Sequence, residues 1–135
     1  MAVDPNLTVS SGFRSVVLFT TVLIFVLIAV GGVVRLTGSG LGCPDWPMCH
    51  GKIIPPLDKA TLIEYSHRLM ATIVALFIIG ITAYVWIRYR THILLRTCMT
   101  LGLGLLVLQV ILGGITVLNE LPDYMVLAHL AVAEA

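Results

Sequence analysis

Residues 62–86 read LIEYSHRLMATIVALFIIGITAYVW. The run is long and apolar enough for a membrane-spanning helix, yet it opens on Glu64, His67 and Arg68. Ionisable side chains inside a span are functional candidates by default. Glu64 and His67 are three residues apart, so on a helix they share one face, with the carboxyl group about one turn nearer the membrane surface. A neutral imidazole below a carboxyl group can ligate a metal beside an acid/base group. The alternative is an interfacial cluster of charges with no bound group.

The rest of the chain has the same character. Its 135 residues are 59% apolar and 11% charged, with a mean hydropathy of +1.04. This composition excludes a soluble domain. In lipid the backbone must satisfy its own polar groups, so the expected fold is all-α. A net charge of +1 without a basic run excludes nucleic acid as a partner and leaves membrane lipid as the surroundings. Residues 1–13 form a polar tail. Span 1 runs from about Ser15 to Val34 and stops at Arg35; it lacks a small-residue cleavage site and reads as a retained helix. Residues 36–61 form a loop rich in Gly and Pro. Span 2 covers 62–86, and the connector Ile87–Arg96 carries Arg88, Arg90, His92 and Arg96. Span 3 runs from about Thr97 to Leu118, a short acidic loop follows, and span 4 starts near Tyr124. The residues from Tyr124 to Ala135 would rise only ~18 Å against a ~30 Å hydrocarbon core. Either span 4 is cut short or the chain is one part of a longer protein, and the second is the expectation. Basic residues concentrate before span 1 and between spans 2 and 3. The N-terminus and that connector are then cytoplasmic, and loops 36–61 and 119–123 face outward, in a multi-pass protein of the cell membrane.

The sequence repeats itself. Gly31-Gly32-Val33-Val34 near the outer end of span 1 matches Gly113-Gly114-Ile115-Thr116 in span 3. His67-Arg68-Leu69-Met70-Ala71 in span 2 matches His129-Leu130-Ala131-Val132-Ala133 in span 4. Two hairpins, each with a Gly pair on one helix and a His on the next, predict a pseudo-two-fold four-helix transmembrane bundle. Both histidines lie ~8 Å below the outer surface. Two imidazoles at one depth on two helices suit haem iron held in a bundle core, with Gly31, Gly32, Gly113 and Gly114 leaving room for a flat macrocycle. Close helix packing is the other use of such glycines.

Cys43 and Cys49 enclose Pro44-Asp45-Trp46-Pro47-Met48 in the outward loop. Two close cysteines outside the cytoplasm read as a disulfide. Zinc, with His50 as a further ligand, is the alternative, though the loop is short of donors. A c-type haem box ending at His50 would need a cysteine where Trp46 stands. Arg35 and Arg68 stand where they can pair with haem propionates or snorkel to lipid headgroups. Gln109 can bond a neighbouring helix, Cys98 reads as packing, and His92 as a solvated connector residue.

Three segments together resemble a known family: residues 31–49, Glu64-Tyr65-Ser66-His67-Arg68, and Gln109 with Gly113-Gly114 followed by His129. They are similar to the N-terminal four-helix half of haem A synthase, over about residues 14 to 135. Members usually carry eight spans in two such halves. The resemblance implies an oxidoreductase that converts the C8 methyl of haem O, received from a haem O synthase, to the formyl group of haem A for terminal oxidases. It implies His67 and His129 as axial ligands, Glu64 as the residue of the oxidation, and a Cys43–Cys49 disulfide that shapes the loop. It also implies an electron acceptor and a haem b, which a second half, or a second copy of this chain, would hold. A b-type electron-transfer cytochrome or an oxidase-associated subunit is the competing reading, and a haem-carrying assembly factor a third. Glu64 separates them, because an electron carrier has no evident use for an acid one turn from its ligand.

Overall fold

A computed structural model describes residues 9–134. Residues 1–8 of the expected tail, and Ala135, lie outside the described residues. Among the described residues four helices follow one another: α1 (Ser11–Leu36), α2 (Lys59–Arg88), α3 (Ile93–Leu118) and α4 (Asp123–Ala133). The first three are long and apolar enough to cross a membrane.

All three long helices start earlier than hydropathy predicts, because polar caps and charged first turns lie outside the apolar window. The Ser10 hydroxyl accepts from the Phe13 N–H and starts α1, so the last residues of the expected tail are helical. Asp58 accepts from the Thr61 N–H and starts α2. Such caps satisfy donors that a helix start leaves orphaned. The predicted connector shrinks to residues 89–92, and Arg96 enters α3. There its guanidinium lies 4.1 Å from the Trp86 ring centroid, a cation–π contact. His92 stands at the start of α3, half-buried, with its ring 6.1 Å from Tyr89.

Consecutive helices pack as neighbours along the chain. At the end away from the long loop, Ile81, Val85 and Tyr89 of α2 form a small core with Phe13, Leu95 and Met99, and the Phe13 and Tyr84 rings stack at 4.9 Å. Most other large apolar side chains point outward, Phe25 at 69% and Leu76 at 66% exposure among them. A helix surrounded by lipid presents such a surface. Hydroxyls within the spans bond back to their own helix: Thr20 donates to the Val16 carbonyl, Thr82 to Ile78 and Thr116 to Leu112. That pairs these three hydroxyls without calling on water. Cys98 departs from the sequence reading: it is a free, exposed thiol on the outer face of α3 rather than a packed one.

Candidate functional site

The two hairpins place their histidines alike. Gly31 lies five residues before the end of α1, and Gly113 five before the end of α3, each ~7.5 Å inside its helix end. A β-carbon on Gly31 would stand 3.1 Å from Cε1 of His67, and one on Gly113 would stand 3.0 Å from Cε1 of His129. Each imidazole therefore lies flush against the backbone of the preceding helix, where any larger residue would push it away. Nδ1 of His67 and Nδ1 of His129 are both buried without a hydrogen-bond partner.

This geometry changes the reading of the glycines. Gly31 and Gly113 serve the imidazoles rather than an open space. Gly114 is covered by the Trp46 indole, whose Cδ2 would lie 2.8 Å from an added β-carbon. Gly32 alone of the four has nothing within 4 Å.

Around His67 the surroundings are charged. Glu64 is buried at 5% exposure, and its Oε1 accepts from Arg68 Nε at 2.7 Å. The same guanidinium donates through Nη1 to the carbonyls of Asp45 (2.7 Å) and Met48 (3.0 Å), and through Nη2 to that of Cys43 (2.7 Å). Four of the five N–H groups of an arginine are thus engaged. The sequence offered Arg68 to a propionate; the fold directs it to the loop and to Glu64. Arg35 stays at the surface, 54% exposed, and pairs with Asp123 at 3.1 Å, joining α1 to the start of α4.

The segment that Arg68 grips is held from several sides. Cys43 and Cys49 are joined in a disulfide and are both buried. The Asp45 carboxylate accepts from the N–H groups of His50 (2.6 Å) and Gly51 (2.7 Å). Chiefly the Gly51 N–H, with that of His50, holds its pKa below the ordinary aspartate value. His50 and Gly51 both turn with positive φ, His50 with its Nε2 2.9 Å from the Gly42 carbonyl. The Thr61 hydroxyl donates to that carbonyl at 2.8 Å. Gly42 lies so close to α2 that a β-carbon would run into the Ala60 carbonyl and stand 2.7 Å from the Thr61 nitrogen. The loop also reaches the second hairpin, through Trp46 on Gly114 and Gly40 against Leu121. It is a lid docked on both hairpins. The roles of Asp45, Trp46, Thr61 and Gly42 escaped the sequence reading. The signal within reach was the tight ring from Cys43 to Cys49 facing a span that opens on an arginine.

Beside His129 there is an amide. Gln109 of α3 places its Nε2 3.3 Å from His129 Nε2, while its own Oε1 is buried and unpaired. Two imidazoles, each pressed against a glycine of the preceding helix, form a donor set that fits haem. Its iron takes four ligands from the macrocycle and needs only axial ones from protein.

Comparison with known proteins points the same way. The profile of the family described as "Cytochrome oxidase assembly protein" (COX15-CtaA) matches residues 14–64 and 57–135. The chain is 31% identical over 117 residues to the Heme A synthase of Exiguobacterium sibiricum, covering 85% of this chain and 39% of that protein. A second Exiguobacterium Heme A synthase is 32% identical with the same coverage. The Heme A synthase of Listeria monocytogenes is 28% identical over 124 residues, 92% of this chain and 41% of the relative. The chain thus spans about two-fifths of the length of the curated relatives it matches. With the glycine–histidine hairpins and these matches together, the chain belongs to the cytochrome oxidase assembly protein family, alongside these haem A synthases.

Proposed function

We propose that this chain is the substrate-haem half of a haem A synthase, an oxidoreductase that converts the C8 methyl of haem O to a formyl group. The observation that carries the reading is the matched pair His67–Gly31 and His129–Gly113, two imidazoles held in the same way at the same level. In this proposal His67 and His129 hold the iron of haem O, the substrate, and Gly32 leaves space beside it. Arg35 at the outer rim is available to a propionate. Glu64, buried and oriented by Arg68, takes up and returns protons as the methyl carbon is oxidised. An electron-transfer cytochrome would leave this buried acid without a task. A haem b would be held outside this chain's histidine pair, by a second half or a second copy. Haem O would arrive from a haem O synthase, water would supply the formyl oxygen, and four electrons would leave to a separate acceptor as four protons are released. The arginine distribution supports a cytoplasmic N-terminus in the cell membrane, with the lid outside.

The test is substitution at the three positions. His67→Ala and His129→Ala should each alter the spectrum of bound haem and reduce its retention. Glu64→Gln keeps an acceptor for Arg68 but has no titratable proton. It should retain haem and lower conversion of haem O by ~100-fold or more, the usual worth of general acid–base catalysis. Normal conversion in Glu64→Gln would make Glu64 an interfacial charge. Unchanged haem binding in both histidine variants would remove the site.

A further inference from the structure

The two hairpins match in their glycines and histidines but not in what stands beside each imidazole. Four residues before Gly31 is Leu27, and four before Gly113 is Gln109. These are equivalent places: the backbone of Leu27 neighbours His67, and that of Gln109 neighbours His129. The first hairpin thus puts an aliphatic side chain where the second puts an amide.

That amide meets the ring nitrogen a ligand would use. Nδ1 of His129 is buried, which leaves Nε2, and Nε2 is the atom that Gln109 approaches at 3.3 Å. When the amide donates, the imidazole accepts through the lone pair of Nε2, the same lone pair that a metal requires. When the amide is reversed, Nε2 carries a proton and again has no lone pair to offer. The unpaired Gln109 Oε1 leaves the amide with a single engaged end, so the contact can be exchanged.

We infer that Gln109 is a positioning residue that makes the two axial sites unequal: His67 is the resident ligand, and His129 binds haem iron only in competition with the Gln109 amide. This rests on the haem reading proposed above. An iron held by His67 alone keeps one coordination position open, with a hydrogen-bonding amide at that face. Such a group helps decide what an open haem iron does.

The experiment uses the whole chain in detergent, loaded with ferric haem b as the probe, and reads the ratio of low-spin (two imidazoles) to high-spin (one imidazole) iron by optical and paramagnetic resonance spectra. Gln109→Leu removes the competitor and should raise this ratio about fivefold, the worth of one net hydrogen bond. Gln109→Met, which keeps the length without an N–H donor, should move it the same way. Gln109→Glu holds Nε2 more firmly in either protonation state and should lower it. A merely structural glutamine would shift all three variants in one direction. Ratios equal to wild type, or shifts of one sign in all three variants, would overturn the inference. In that case, loss of haem by His67→Ala and His129→Ala would still leave the haem site standing. If those two variants bind haem as the wild type does, it is the underlying reading that fails.

Discussion

Replacing Arg68 by Leu tests the arrangement at its most connected point. The side chain is 16% exposed and its partner Glu64 6%, so this is a buried ion pair. Removing one member leaves the other charge uncompensated, which typically costs ~3–5 kcal/mol. Three carbonyls of the lid, on Cys43, Asp45 and Met48, lose their donor as well. Hydrogen bonds to charged groups contribute ~1.5–3 kcal/mol each, but water can reach carbonyls of an outer loop and recovers most of that. Glu64 can also relieve its own cost by taking a proton. The net expectation is therefore at most ~3–5 kcal/mol, dominated by Glu64, with the lid loosened rather than unfolded.

Two measurements read this. Denaturant unfolding in detergent gives the loss of stability, and the rate at which a water-soluble reductant opens the Cys43–Cys49 bond reports the lid. Arg68→Leu should lower stability by the stated amount and speed reduction. Glu64→Gln combined with Arg68→Leu should be less destabilising than the sum of the two, because the stranded charge is gone. Arg68→Lys keeps the charge, but its single ammonium cannot reach four acceptors set around a planar fork. It should restore much of the stability and little of the lid's protection. Equal reduction rates in wild type and Arg68→Leu would refute the claim that Arg68 pins the lid, and full additivity in the double variant would refute the buried pair.

Two further outcomes follow from the lid. Gly42→Ala inserts a β-carbon against the backbone of Ala60 and Thr61, atoms that move only with the first turn of α2; a clash of this kind costs ~1–3 kcal/mol and should expose the lid to protease with the disulfide intact, whereas unchanged protection would show that the loop is not docked there. The Asp45 carboxyl is lowered chiefly by the Gly51 N–H, and that of Asp58 by Thr61; a folded pKa below the unfolded one gives order that is fully present above about pH 4 and is lost as pH falls through the folded value. Protease protection of the lid should thus be flat from neutral pH down to about pH 5 and fall below about pH 4, and a loss centred near neutrality would contradict the assignment.

The spans and the repeat of a glycine and a histidine in each hairpin were legible because hydropathy and helical spacing are local properties; that each imidazole would press on its glycine was not. The helix starts were not, since Ser10 and Asp58 are polar caps beyond the apolar windows. Arg68 was placed in the right region with the wrong partners, because its acceptors lie 20 to 25 residues away on a loop whose path turns at His50 and Gly51. Gly114 was counted as space for a ligand because nothing local announces that Trp46 covers it. The repeat itself becomes most informative where it fails. Against Glu64 and Arg68 of the first hairpin stand Val126 and Leu130 of the second, and against Gln109 of the second stands Leu27 of the first. The shared residues, glycine and histidine, build two like sites for two rings. The unshared ones give one ring a buried acid tied to the lid and the other an amide. A symmetric pair would leave the two imidazoles interchangeable; these differences set them in unlike surroundings, which is what the Glu64 and Gln109 variants read out.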